Sequence, residues 1–135
     1  MSSLPTVKSF VIADSVFQQV GGKWCIVGVF DRIWGGKFPA MHPSLGIYVE
    51  LEDVPEGKHE IFMTFSNSEK KQLAVSPKIH LTARNRLAKA GVGVQTHNLA
   101  IPAAGTYFIE IVFNGRPLAH DIRLEAALVP KGEKR

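Results

Sequence analysis

The stretch 21–34, GGKWCIVGVFDRIW, decides how the rest of this chain is read. Its apolar run, 24–30, is hydrophobic on both alternating faces, with Trp24, Ile26 and Phe30 on one and Cys25, Val27 and Val29 on the other. A strand with two apolar faces is predicted to run through the centre of a sheet, covered on both sides. Trp24 accordingly belongs to the core. Cys25 reads as a buried small hydrophobe, since a reactive thiol needs an electropositive, partly exposed setting. As the single cysteine, it has no partner for an internal disulfide.

Upstream, 7–16, VKSFVIADSV, is rich enough in β-branched and aromatic residues for a first strand, joined to the central run as a hairpin through Gly21-Gly22. Downstream the alternation stops. Residues 32–43 are punctuated by glycine and proline yet hold four large apolar side chains, Ile33, Trp34, Phe38 and Met41. Connections are usually polar, so these four either plug an open end of the fold or form an exposed patch for a partner.

Alternation returns with Leu45, Ile47, Val49 and Leu51, and after the turn 55–58, PEGK, with Ile61, Met63 and Phe65. Segment 72–89 is the least regular. Leu73, Val75, Ile79 and Leu81 suit short strands that Pro77 limits to an edge, while 83–90, ARNRLAKA, suits about two turns of helix ended by Gly91. From 91 to 101 the apolar positions change parity, from Val92 and Val94 to Leu99 and Ile101. That change requires a bulge or bend near Thr96. Beyond the turn 102–105, Tyr107, Ile109, Ile111 and Phe113 stand in register, Asn114-Gly115 is the strongest hairpin signal in the chain, and Leu118, Ile122, Leu124 and Leu128 carry a last strand.

About seven to eight strands with regularly spaced turns predict an all-β fold, an antiparallel β-sandwich of immunoglobulin-like or jelly-roll-like type with at most one short helix. Length places 1–130 in a single domain. The tail 131–135, KGEKR, is expected to be disordered. The segment IPAAGTYFIEIVFNG resembles the corner of immunoglobulin-like and fibronectin-like domains, in which a tyrosine hydroxyl bonds back to the chain. Tyr107 would be that tyrosine.

The combination of ADS (13–15), GGKW (21–24), GVFDRIW (28–34), FPA-x-HP (38–43) and IPAAGTYFIEIVFNGRPLA (101–119) is similar to a family of small, single-domain, uncharacterised bacterial and phage proteins. The resemblance covers most of the chain and is thinnest over 69–89. It implies a sandwich domain of unknown function and brings no catalytic residues with it.

The formal net charge is +4. Segment 69–89 holds Lys70, Lys71, Lys78, Arg84, Arg86 and Lys89 against Glu69 alone, which makes that segment +5 and the remaining chain −1. Clustered cations can neutralise phosphates. No Phe, Tyr or Trp lies between 67 and 94 to stack on a base, so sequence-tolerant contact is the most this segment supports, and nucleic acid is not the expected partner. Asp14-Ser15 and Asp31-Arg32 could supply two neighbouring carboxylates and a nucleophile if the first strands pair. Turn hydrogen bonding and a structural ion pair account for them more simply. His42, His59, His80, His97 and His120 show none of the close spacings of local metal-ligand pairs. No cofactor, metal or catalytic residue is therefore expected.

The expected role is a non-enzymatic accessory or protein-interaction domain, with Asp31, Arg32, Ile33, Trp34, Phe38 and Met41 as its candidate binding residues and 70–89 as a basic edge. A glycan or small-ligand module using Trp34 beside Asp31 and Arg32 is the alternative. Self-association is a further expectation, through an outward Phe62 and the strand edge near Pro77. No apolar run reaches about 18 residues, and the expected location is cytoplasmic.

Overall fold

A computed structural model of the chain describes residues 4–85, 88–118 and 122–130. Among the described residues it forms eleven strands and no helix: β1 (Thr6–Gln18), β2 (Trp24–Val29), β3 (Arg32–Gly35), β4 (Ala40–Val54), β5 (Gly57–Ser66), β6 (Gln72–Val75), β7 (Ile79–Ala83), β8 (Ala88–Ile101), β9 (Gly105–Phe113), β10 (Arg116–Pro117) and β11 (Ile122–Leu128). They make two sheets. One has the order β2-β1-β4-β8, and the other β3-β11-β9-β5-β6 with β7 on β5 and β10 on β9. The all-β sandwich stands, with more strands than the turn spacing suggested: four short ones, β3, β6, β7 and β10, join long ones such as β1, β4 and β8. One pair, β3 with β11, is parallel.

Leu45, Ile47, Val49 and Leu51 of β4 face Ile61, Met63, Phe65, Ile109 and Phe113 of the other sheet, and together they make one core. The alternation read in these segments is the alternation of the pleat. Tyr107 closes the corner as expected: its hydroxyl donates to the Ala103 carbonyl at 2.6 Å and accepts from the Ala103 amide at 3.2 Å. Its ring stacks on Phe65, 5.1 Å between centroids.

Three expectations need correction. The run 24–30 is not central: among the described residues β2 is the edge of its sheet and pairs with β1 alone. Trp24 and Cys25 are half-buried, and Val27 and Val29 are 55% and 69% exposed. The middle of the sheet is β4, which holds β1 on one side and β8 on the other. The helix expected over 83–90 is absent from its described part, because Ala88 already opens β8; Arg86 and Leu87 lie outside the described residues. The 32–43 segment is not one loop but strand β3, a short connection and the start of β4.

The change of parity along β8 has a simple cause. Pairing with β4 keeps one register from Ala40↔Ile101 to Leu51↔Ala90, with no inserted residue, and omits Pro43 opposite Asn98. Proline has no amide to give the ladder, and Asn98 takes a left-handed conformation at φ 55°. The bend lies two residues beyond Thr96.

A second bend shapes the other edge. Ladder pairing between β1 and β2 runs Ala13↔Val29 and Ser15↔Val27, skipping Asp14 opposite Gly28. Gly28 sits at φ 75°, where glycine carries no steric penalty, and a Cβ there would lie 2.5 Å from the Asp14 carboxylate. Beyond this bend the β1–β2 ribbon crosses the outer face of β4 and β8. Three outward glycines, Gly46, Gly91 and Gly93, make a floor for it: a Cβ on Gly46 would lie 2.7 Å from Val16, and one on Gly93 would run into the Trp24 indole. Val16 and Ala13 are buried yet stand apart from the intersheet core, because they are covered from the outside.

Candidate functional site

The folded ribbon presents the chain's most exposed apolar surface. Its under-face, with Val16 and Trp24, rests on the glycine floor, and Trp24 also meets Tyr48 with ring centroids 5.6 Å apart. Burial raises the Tyr48 hydroxyl above its usual pKa, with the Glu50 carboxylate adding to it. The bend is secured by side chains. Gln95 Oε1 accepts from the Val16 amide at 2.8 Å, and the Asp14 carbonyl accepts from Ser44 Oγ at 2.7 Å and Gln95 Nε2 at 3.1 Å. Outward lie Phe17 and Val27, with Val29 just past the bend. No charged side chain lies on β2.

The residues 31–41 divide. Ile33 is buried in the core, and Phe38 packs against that core from the connection after β3. Trp34 is half-buried with the Arg32 guanidinium 5.5 Å from its ring centroid, and Met41 is exposed. Asp31 is exposed and its carbonyl accepts from the Glu125 amide at 3.4 Å. The β1–β2 register puts Asp14 opposite Gly28, whereas Asp31 lies past the end of β2 with its carbonyl bonded to the second sheet. Strand pairing therefore does not set Asp14 and Asp31 opposite one another.

The basic segment is dispersed. Lys78 pairs with Glu60 at 3.5 Å, Arg84 and Lys89 are exposed at the ends of different strands, and Arg86 lies outside the described residues. Lys71 is exposed in the turn before β6. Lys70 takes φ 65° in that turn, which Asn67 holds by accepting from the Glu69 and Lys71 amides. Its ammonium sits 3.7 Å from the Phe108 ring centroid, and the Arg123 guanidinium lies 5.7 Å from the same centroid. The aromatic partner missing from the segment thus comes from β9. Neither Phe108 nor Arg123 could be found from sequence, because the pairing Arg123↔Phe108 follows from strand register alone.

The histidines stay separate. His59 Nε2 lies 2.6 Å from the Pro55 carbonyl and Nδ1 lies 2.9 Å from Asn114 Nδ2. His42 Nε2 is buried with no hydrogen-bond partner among the described residues. His80 and His97 are exposed, and His120 lies outside the described residues. Among the described residues no three His, Cys, Asp or Glu side chains come together as a metal site, and no helix is long and apolar enough to cross a membrane.

No curated protein matches the chain. Among solved structures it is similar to the Pseudomonas fluorescens alkylpurine DNA glycosylase AlkC bound to DNA containing an abasic site analog, with a TM-score of 0.50 and 16% identity. The match covers 72% of this chain and 27% of the glycosylase chain. At that identity the likeness is one of fold. Residues 8–126 match the model of a family of unknown function, DUF6941, and the chain belongs to that family.

Proposed function

We propose that this chain is a non-catalytic interaction domain whose protein partner docks on the β2 edge and the outward side of the β1–β2 ribbon. The observation that carries the reading is an unguarded edge. Free strand edges are normally blunted by lysine, proline or a covering element, whereas β2 offers Val27 and Val29 and no charged residue. Apolar surface rimmed by polar groups marks contact sites. Of the candidate residues in 31–41, Asp31, Arg32, Trp34 and Met41 keep accessible surface and are the next positions to test.

The test compares capture from extracts of the native host by the wild-type chain and by Val27→Lys, with circular dichroism confirming the fold of both. One protein recovered stoichiometrically by the wild type and lost by the variant is expected. The same set of proteins held equally by both would overturn the reading.

A second reading has its own observation. Lys70 and Arg123 flank Phe108 on the outer face of the second sheet, and cations beside an aromatic ring suit a single nucleic-acid strand. The similar glycosylase is described with bound DNA. Salt-sensitive binding of a labelled single-stranded oligonucleotide, lost in Phe108→Ala and in Lys70→Glu, is the expected signature. No binding at low salt ends this reading.

A further inference from the structure

The two sheets part along one side, where β6, at the end of its sheet, and β8, at the edge of the other, both have a free edge. A cleft of about 270 Å³ enters the sandwich there, between Leu45, Val94 and Leu99 of one sheet and Met63, Phe65 and Ile109 of the other. All six are buried, while Val75 and Pro77 at the outer end of the lining are exposed, so the space is a slit that runs from an open mouth into the interior. Its origin lies in side-chain size. Between Val94 and Leu99, β8 bends at Asn98 and turns only Thr96 toward the core, while β6 contributes Ala74 opposite Phe65. Two small residues stand where neighbouring rows carry Val, Leu or Phe. Both also border a second hollow that continues past His97 and Pro102.

We propose that this slit binds the aliphatic chain of a small uncharged amphiphile, with its hydroxyl or carbonyl head at the mouth among Thr64, Ser76 and Thr96. Walls facing an unfilled apolar space lose their dispersion contacts on that side. Water is a poor filler, because it needs several polar partners. A slender chain restores those contacts. Among the described residues no Asp, Glu, Lys or Arg lines either space, so a charged head would lose its hydration without compensation. At about 30 Å³ for a water-sized group, the slit holds roughly nine methylene-sized groups.

Calorimetric titration with linear alcohols from hexanol to dodecanol tests this. Affinity rises about fourfold per added methylene up to roughly nine or ten carbons, set by the ~30 Å³ group volume, and then levels off. Decanol binds more tightly than decanoate. Methyl resonances of Met63 and Leu99 move on binding, while that of Leu124, which lines neither space, does not. Ala74→Phe and Thr96→Ile fill the slit, abolish binding and leave the melting temperature unchanged or higher. If Ala74→Phe does not fold, Thr96→Ile carries the same test. Affinity independent of chain length, preference for decanoate, or unchanged binding by the filled variants would overturn the proposal. Val27→Lys leaves alcohol binding intact, which separates this outcome from that of the β2 edge.

Discussion

Tyr107 and Tyr48 show what one phenol does at two depths. The Tyr107 hydroxyl serves both polar groups of Ala103, fixing the entry to β9 while its ring packs on Phe65. Tyr107→Phe keeps the ring and leaves those two groups to water, which reaches exposed Ala103. The expected cost is about 0.5–1.5 kcal/mol in urea unfolding; no change would mean the corner is held by packing alone. Tyr48 has the opposite emphasis. Its pKa is raised above 10.0 by burial under the ribbon, so the fold favours the neutral phenol. Its contribution is fully present below the unfolded value and is lost as pH rises through the folded one. Stability should therefore fall with pH above about 10, the unperturbed tyrosine value, and Tyr48→Phe should flatten that fall. Lys8, raised by Glu52 and then Glu50, acts in the same direction, but its exposed pairs are screened by salt. Measuring both proteins in high salt isolates the tyrosine.

At the scale of elements, the ribbon is the feature that departs from sequence logic. Two apolar faces on 24–30 read as burial between layers. In the structure one face is half-buried, with Trp24 against glycines of the sheet's outer side and only Phe30, past the strand's end, against the core. On the other, Val27 and Val29 face solvent. Hydrophobic alternation reports which residues can be covered, and not by what. Gly46, Gly91 and Gly93 were the readable sign of a close approach, but they lie far from Trp24 in the chain, so only the folded register brings them beneath it. By contrast the cores of β4, β5 and β9, the Tyr107 corner and the parity change before Leu99 were legible, because each is encoded by neighbours in sequence. The candidate site was legible only in part: Trp34 and Met41 keep surface, whereas Ile33 and Phe38 went to the core. Gly93→Ala tests the ribbon directly. Its Cβ would meet Trp24 and come within 2.9 Å of Val16, so overpacking should cost about 1–3 kcal/mol and red-shift tryptophan emission as the ribbon lifts. An unchanged spectrum and stability would show that the ribbon does not rest on this floor.

For the whole molecule, the chain passes from one sheet to the other between β2 and β3. Phe30 still donates its amide to Ile12 in the first sheet at 2.9 Å, and two residues later Arg32 pairs with Glu125 in the second. The crossing ties the sheets together at the base of the ribbon. Past Asp14 and Gly28, the ribbon is held by one ladder, the Gln95 and Ser44 bonds and the Trp24 contact. Free energies of local opening follow the buried contacts a segment would lose, and β9, with partners on both sides and a buried face, should open only with global unfolding. Native-state hydrogen exchange should therefore resolve two tiers. Amides of 15–18 and 24–27 exchange through an opening of smaller free energy and shallow urea dependence, since little surface is exposed. Those of β4, β5 and β9 share the global value and slope. Gly93→Ala should lower the first tier more than the second. Identical free energies and slopes for β2 and β9 would make ribbon and sandwich one cooperative unit, and the β2 edge would then be a rigid docking surface rather than one able to shift on binding.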